Sequence, residues 1–299
     1  IKMLSSIAEK IYWLSRYIER VENTSRLINV NSDLLLDIPH DESNDLKHLI
    51  QITGHIENFK KPNYKENVFF FLIEDETNPS SIKFSLEMAK MNSRYLLTML
   101  PKSAWEQFNN LYTDFTISKK MRRNSDDLYQ IIRNSQRFFA IISDGMQRNN
   151  VFNFIKLGRF IERADMLSRI IEDQILRKET YVNKYYQNLQ WSSVLRSING
   201  YESFKSINKD NLNQEIVLKY IIMERLFPRS LKYCENKLLE VLKYLPRSKK
   251  ILNTSRALLK DFSNNNFYKN DKKILKLLDD FQLGLIKLDK EIHERFFIY

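Results

Sequence analysis

Apolar residues recur every three or four positions along most of this chain, which is the period of an amphipathic α-helix. The pattern is longest from Met3 to about Leu36, where Pro39 ends it, and it returns over residues 151–179. We therefore predict a long helix in each of these two places.

Shorter segments with the same period predict further helices, and one of them leaves an alternative open. The apolar run at 68–73, VFFFLI, fits either a short strand or the start of a buried helix. The sequence NPSS predicts a helix that begins at a Ser80 or Ser81 cap and runs to about Leu100.

Further helices are predicted beyond this point, among them residues 124–148, 212–224, 228–245 and 249–262. Ser103 and Glu106 have the spacing of a capping box, which predicts a helix that starts at Ser103. Residues 189–204 and 271–297 each predict one uninterrupted helix.

The two long helices carry related sequences. Residues 14–28 read LSRYIERVENTSRLI and residues 157–171 read LGRFIERADMLSRII, so that eight of the fifteen aligned positions are identical. The chain therefore contains a repeated helix, and we predict that the two copies pack about a pseudo-twofold axis.

The polar side of each copy carries more arginine than acidic residues, and charges wrapped by other helices need partners. We expect Glu19 to pair with Arg16, and Glu22 with Arg26, along their own helix. The surplus of guanidinium groups favours one pocket for a carboxylate or phosphate. The residues predicted to form it are Arg16, Arg20, Asn23, Arg26, Arg159, Arg163 and Arg169, supported by Trp13, Tyr17, Glu22 and Asp165. The alternative is a scaffold in which these charges only neutralise each other.

Composition favours an all-α fold. Only 5 Gly and 6 Pro occur in 299 residues, and 43% of the residues are hydrophobic. No linker divides the chain, so we predict a single multi-helix bundle over residues 3–299 with an internal pseudo-twofold repeat. Ile1 and Lys2 are expected to be additions before a natural start at Met3.

The charge balance is basic, with 48 Lys and Arg against 37 Asp and Glu. The excess is spread along the chain rather than gathered in a tail, which makes nucleic acid the less favoured partner. The longest apolar run is too short to cross a membrane. Because the single Cys234 cannot form an internal disulfide, we expect a cytoplasmic protein.

The sequence lacks the motifs that would give this chain a nucleotide or di-iron site. It has neither a phosphate-binding G-x-x-x-x-G-K-[ST] loop nor a Glu-x-x-His pair, and we expect no cofactor and no metal. Glu19 and Glu162 are the candidates for acid-base catalysis, but neighbouring arginines would hold both ionised, which suits binding better.

Several short motifs occur in order along the chain: 12–20 (YWLSRYIER) with Asn23 and Arg26, 78–82 (NPSSI), Asn92 and Arg94 with Trp105, 157–165 (LGRFIERAD), 195–197 with 201–202, and 227–230 (FPRS). Together they resemble the alpha-E family, a bacterial all-helical domain with a Glu-Arg motif. Ser15 stands where that family usually has Gly, and Lys90 stands where it tends to have Arg.

The resemblance implies a genomic context rather than a reaction. Such domains occur beside, or fused to, a circularly permuted ATP-grasp protein of the glutathionylspermidine-synthase type, often with a transglutaminase-like peptidase. Our first hypothesis is therefore an accessory partner of an ATP-grasp amide ligase that binds an acidic peptide, an acyl phosphate or the ligase itself. The alternatives are an acyl or amide transferase using Glu19 or Glu162, and a purely structural scaffold.

Overall fold

The computed structural model describes residues 5–37, 46–117, 125–177, 184–209, 212–263 and 267–298. Within these ranges the chain forms thirteen α-helices and three short 3₁₀ segments, without a β-strand. The all-α fold class is therefore confirmed. The helices are α1 Ser5–Asp37, α2 Lys47–Thr53, α3 Lys65–Ile73, α4 Ile82–Ser93, α5 Lys102–Ile117, α6 Ser125–Gly145, α7 Asn150–Leu176, α8 Lys184–Ser197, α9 Tyr201–Asn208, α10 Gln214–Met223, α11 Leu231–Tyr244, α12 Lys249–Ala257 and α13 Asp271–Phe296.

The two long helices, α1 and α7, pack against each other at the centre of the fold. Helices α4 and α6 flank α1, whereas α11 and α13 flank α7. Surrounded in this way, both helices bury polar as well as apolar residues, and Glu19 and Glu162 are almost fully shielded from solvent. The charged residues of the repeat therefore lie inside the protein.

Small residues let α1 and α7 approach closely. A side chain at Gly158 of α7 would collide with the Tyr12 carbonyl and the Ser15 hydroxyl of α1. Ser15 donates a hydrogen bond to that same carbonyl at 3.0 Å, which keeps its hydroxyl on its own helix. Ser15 and Gly158 are aligned positions of the repeat, so the two copies touch where each has a small residue.

The predicted helix starts are partly right. The run at 68–73 forms the last part of helix α3 and is not a strand of a sheet. All but one of its residues are buried. Ser81 caps α4, accepting a hydrogen bond from the amide of Phe84 at 3.1 Å. The capping box is wrong, since α5 already begins at Lys102 and Ser103 lies inside its first turn.

Two predicted helices are shorter than expected. Helix α4 ends at Ser93 instead of near Leu100, and turns follow. The segment 189–204 is broken where Asn199 adopts a left-handed conformation with φ of 54°. A residue with positive φ cannot continue an α-helix, so α8 and α9 are separate helices.

Candidate functional site

The carboxylate of Glu162 on α7 is held by two arginines of α1. Arg16 donates from Nε to Oε2 at 2.9 Å. Arg20 donates from Nε to Oε1 at 2.5 Å and from Nη2 to Oε2 at 3.1 Å, which is the two-pronged geometry that makes such pairs strong. Every one of these bonds crosses from one helix to the other.

The reciprocal arrangement holds Glu19 of α1. Arg159 of α7 donates from Nε to Oε2 at 3.0 Å, and Arg163 donates from Nε to Oε1 at 2.6 Å and from Nη2 to Oε2 at 2.9 Å. The expected pairing of Glu19 with Arg16 along α1 is therefore wrong. Both carboxylates point into the α1–α7 interface, where each is bound by two arginines of the opposite helix.

These arginines keep both carboxylates ionised. Burial by itself raises the pKa of Glu162, but attraction to Arg20 and Arg16 outweighs it and lowers the pKa to about 2. For Glu19 the attraction of Arg163, Arg229 and Arg159 likewise outweighs burial and puts the pKa far below its usual value. Neither group can accept and release a proton near neutral pH.

A third arginine, which the sequence did not lead us to expect, closes the Glu19 side. Arg229 donates from Nη1 to the Asn23 side-chain oxygen at 2.9 Å and from Nη2 to Glu22, and its Nη1 lies 3.5 Å from Glu19. It comes from the segment just before α11. The only signal was its place in the family-like FPRS motif at 227–230, which says nothing about its partners.

On the Glu162 side the additional partner is an acid. Asp289 of α13 accepts a hydrogen bond from Arg16 Nη1 at 2.8 Å and another from the Tyr12 hydroxyl. Nothing in the sequence singles out Asp289, because it lies in an ordinary amphipathic helix 273 positions from Arg16.

The arginines line two cavities, and the single pocket that we predicted is therefore wrong. We call the first, of about 330 Å³, the basic cavity. It is lined by Phe139, Ile142, Ser143, Arg148, Phe152, Ile155, Lys156, Arg159, Phe160, Arg163, Pro228, Tyr233 and Lys237. We call the second, of about 370 Å³, the mixed cavity. It is lined by Arg16, Arg20, Ile52, Thr53, Gly54, His55, Ser80, Glu162, Asp165, Met166 and Arg169. The exchange of ion pairs between α1 and α7 places Arg16 and Arg20 at the mixed cavity and Arg159 and Arg163 at the basic cavity, whereas Arg169 of α7 also lines the mixed cavity.

The remaining predicted residues support the ion pairs or lie elsewhere. Glu22 accepts from Arg26 at 2.7 Å, so this pair along α1 is confirmed, but neither residue nor Asn23 lines either cavity. The rings of Trp13 and Tyr17 pack on guanidinium groups of α1, with centroids 4.7 Å from Arg16 and 5.7 Å from Arg20, respectively.

Comparison with known protein families agrees with this picture. Residues 3–297 match the model of the Alpha-E family, described as a predicted alpha-helical domain with a conserved ER motif. The chain belongs to the Alpha-E family. No curated protein and no solved structure matches it.

The Glu-Arg pairs of α1 and α7 fit the family description and have a physical role in this Alpha-E chain. In each pair the glutamate binds the arginine of the other pair, Glu19 with Arg163 and Glu162 with Arg20. The exchange locks two central helices together. The pseudo-twofold packing of the two repeat copies stays a prediction.

Two further features of the described residues bear on chemistry. Among the helices that the structure describes, none is both long and apolar enough to cross a membrane. Within the same residues, no three His, Cys, Asp or Glu side chains are close enough together to hold a metal ion.

Proposed function

We propose that this Alpha-E chain is an anion-binding accessory partner of an ATP-grasp amide ligase, and that its basic cavity holds the anion. The observation that carries the proposal is the lining of that cavity. Among the residues that the structure describes, five basic side chains and no acidic one line it: Arg148, Lys156, Arg159, Arg163 and Lys237.

Nearby acids do not cancel this charge. Glu19 lies beneath the cavity on Arg159 and Arg163, and Glu240 at the rim pairs with Lys237 at 2.6 Å and with Lys156 at 3.5 Å. Five basic residues against two acidic ones leave a surplus of three positive charges. A surplus in a concave and partly buried site attracts a compact ligand with more than one negative charge.

The aromatic residues of the cavity position its cations rather than receive a ligand ring. The guanidinium of Arg159 lies 3.9 Å from the centroid of the Phe139 ring, and that of Arg148 lies 4.2 Å from the centroid of Phe152. Guanidinium groups already cover these ring faces, so the ligand would be recognised by its charge. An acidic peptide and an acyl phosphate both have this chemistry.

Arg159 has the most suitable geometry for the first contact. Its Nε is engaged by Glu19, which fixes the plane of the guanidinium, while its two terminal nitrogens have no hydrogen-bond partner among the described residues. A guanidinium held in this way loses little freedom when it binds a carboxylate or phosphate. Arg163 differs, because Glu19 and the Pro228 carbonyl occupy all three of its nitrogens.

Binding is favoured over catalysis because the reactive groups nearby are not available. Glu19 and Glu162 stay ionised, and burial raises the pKa of the Cys234 thiol to about 12. A buried thiol with such a pKa is a packing residue and not a nucleophile. The proposed partnership with a ligase draws its support from the family resemblance, whereas a cytoplasmic location draws its support from the single cysteine of the sequence.

Isothermal titration with inorganic phosphate and with triglutamate tests the anion site. Replacing both cavity lysines with Lys156→Gln and Lys237→Gln should weaken binding at least tenfold, since each charge-assisted contact contributes about 1.5 to 3 kcal/mol. The matched control is Lys102→Gln, because Lys102 is 88% exposed and lies outside the cavity. If neither anion binds, or if the double variant binds as tightly as the original chain, the anion site is refuted.

A second assay tests the partnership separately. The purified chain is added to an ATP-grasp amide ligase from the same organism, and amide formation is monitored through the release of ADP. We expect faster turnover with the original chain and little change with the double lysine variant. Anion binding without any effect on the ligase would overturn the partnership and leave the anion site standing.

A further inference from the structure

The mixed cavity lies beside the acidic pair of α7, whereas Arg229 binds the aligned acidic pair of α1. Glu19 and Glu22 are three residues apart on α1, and the guanidinium of Arg229 reaches both of them. Glu162 and Asp165 are three residues apart on α7 and are the aligned residues of the second repeat copy. The two acidic pairs therefore present the same spacing of carboxylates.

No described side chain does for the second pair what Arg229 does for the first. Glu162 is bound only by Arg16 and Arg20 of α1, and Asp165 is bound only by Arg169, whose Nε lies 3.1 Å from its Oδ2. Where a third guanidinium would be expected, the cavity of about 370 Å³ opens.

One acidic and one basic side chain of this cavity are accessible to solvent. The Asp165 side chain is 27% exposed and the Arg169 side chain 35%, whereas Glu22 on the opposite side is fully buried. Asp165 uses one carboxylate oxygen on Arg169, and Arg169 uses only its Nε, so the other oxygen and both terminal nitrogens have no partner among the residues described.

The charges around the mixed cavity balance. Arg16, Arg20 and Arg169 face three acids, of which Glu162 and Asp165 line the cavity and Asp289 pairs with Arg16 behind it. The Asp165 carboxylate would repel a ligand that carries only negative charge, and the three arginines would repel a ligand that carries only positive charge. A ligand with one group of each sign meets neither repulsion.

We propose that the mixed cavity binds a zwitterion, an α-amino acid or small peptide with a free ammonium and a free carboxylate. The ammonium sits on Asp165, in the place that the Arg229 guanidinium takes beside Glu22. The carboxylate binds Arg169 and the terminal nitrogen of Arg20 that does not bind Glu162. The binding site is argued independently of the proposed function. Only the biological role of its ligand rests on that function, since such a ligand is the amine component that an amide ligase consumes.

Titration calorimetry with L-alanine and glycylglycine tests this site. Two blocked forms of each probe, the N-acetylated acid and the C-terminal amide, serve as controls because each lacks one charge. We expect binding of at least one zwitterion and at least tenfold weaker binding of both its blocked forms. If neither zwitterion binds, or if one blocked form binds as well as its parent, the proposal is overturned.

Asp165→Asn supplies the matched variant, because the substitution keeps the shape and removes the charge. It should weaken zwitterion binding at least tenfold and leave phosphate binding in the basic cavity unchanged. Asp144→Asn, an exposed residue of α6, is the control. Unchanged zwitterion binding in Asp165→Asn overturns the zwitterion site. Phosphate binding in the double lysine variant, whether weakened or unchanged, tests only the proposed function.

Discussion

The two sides of the α1–α7 helix pair use the same motif and end with different surfaces. On the Glu19 side, Arg229 covers Glu19 and Glu22, and both carboxylates are fully buried. On the Glu162 side, Asp165 remains open to the mixed cavity. A repeated pair of charges therefore does not by itself decide whether its carboxylates stay accessible. What decides is whether a distant segment supplies the last partner.

This difference also predicts unequal contributions to stability. Removing one partner of a buried ion pair leaves the other charge uncompensated, and the cost rises with the number of charges left. Glu19 has three guanidinium groups within 3.5 Å, whereas Glu162 has two, one of which also pairs with Asp289. The Glu19 side should therefore be the more sensitive of the two.

The largest effect is expected for Glu19→Gln. We expect it to lower the free energy of unfolding by about 3 to 5 kcal/mol, because three arginines, two of them buried, lose their shared countercharge. Glu162→Gln should cost less, about 2 to 3 kcal/mol, because Arg16 keeps Asp289 and Arg20 is more exposed than its counterpart Arg163. Urea unfolding measures both. The control is Glu106→Gln at an exposed position of α5. Equal costs for the two variants would contradict the comparison.

Acid should weaken both sides, and over different ranges of pH. The folded pKa of Glu162 is about 2, below its ordinary value of 4.5, so the unfolded chain binds more protons and stability falls as the pH is lowered. The stabilisation by Glu162 is complete above about pH 4.5 and is lost between there and pH 2. It amounts to on the order of 3 kcal/mol.

The loss for Glu19 continues to still lower pH, because its pKa is depressed further. Urea midpoints measured from pH 7 to pH 2.5 check both expectations. Glu162→Gln should flatten the curve between pH 4.5 and 2.5 relative to the original chain. A variant whose curve is as steep as that of the original chain would show that the carboxylate is not held by its arginines.

A smaller effect, common to both sides, is expected for Gly158→Ala. The added methyl would meet the Tyr12 carbonyl and the Ser15 hydroxyl, so α1 and α7 must move apart at a cost of about 1 to 3 kcal/mol. Gly145→Ala is the matched control, because a methyl there meets no other atom within 4 Å. Urea unfolding again gives the free energies.

Combining Gly158→Ala with the glutamate variants sharpens the comparison. If the close crossing holds both ion-pair clusters, the combined cost with Glu19→Gln and with Glu162→Gln should fall short of the sum of the single costs. Strict additivity on both sides would mean that the clusters do not depend on the crossing.

The elements of the fold followed from sequence wherever a signal was local. The long apolar periods predicted α1 and α7, and the NPSS segment predicted a helix start that Ser81 does cap. Predictions failed where packing outweighed a local pattern. The capping box at Ser103 lies inside a helix, and the segment 189–204 is broken by the left-handed Asn199.

The candidate site was predictable in its residue types and not in its pairing. Guanidinium surplus on the repeated helices pointed to Arg16, Arg20, Arg159 and Arg163, and all four line a cavity. Neighbours along one helix suggested the pairing of Arg16 with Glu19, but the arginines of the opposite helix hold that carboxylate. Helical spacing describes distances along one helix only.

What the sequence by itself determined is the all-α class, the two long helices and the repeat of their Glu-Arg residues, because each depends on positions a few residues apart. Only the tertiary structure decided which arginine meets which carboxylate, and that one predicted pocket is two cavities. The partners are contributed from far along the chain, Arg229 to Glu22 and Asp289 to Arg16. Attraction between charges depends on their separation in space and not on their separation in sequence.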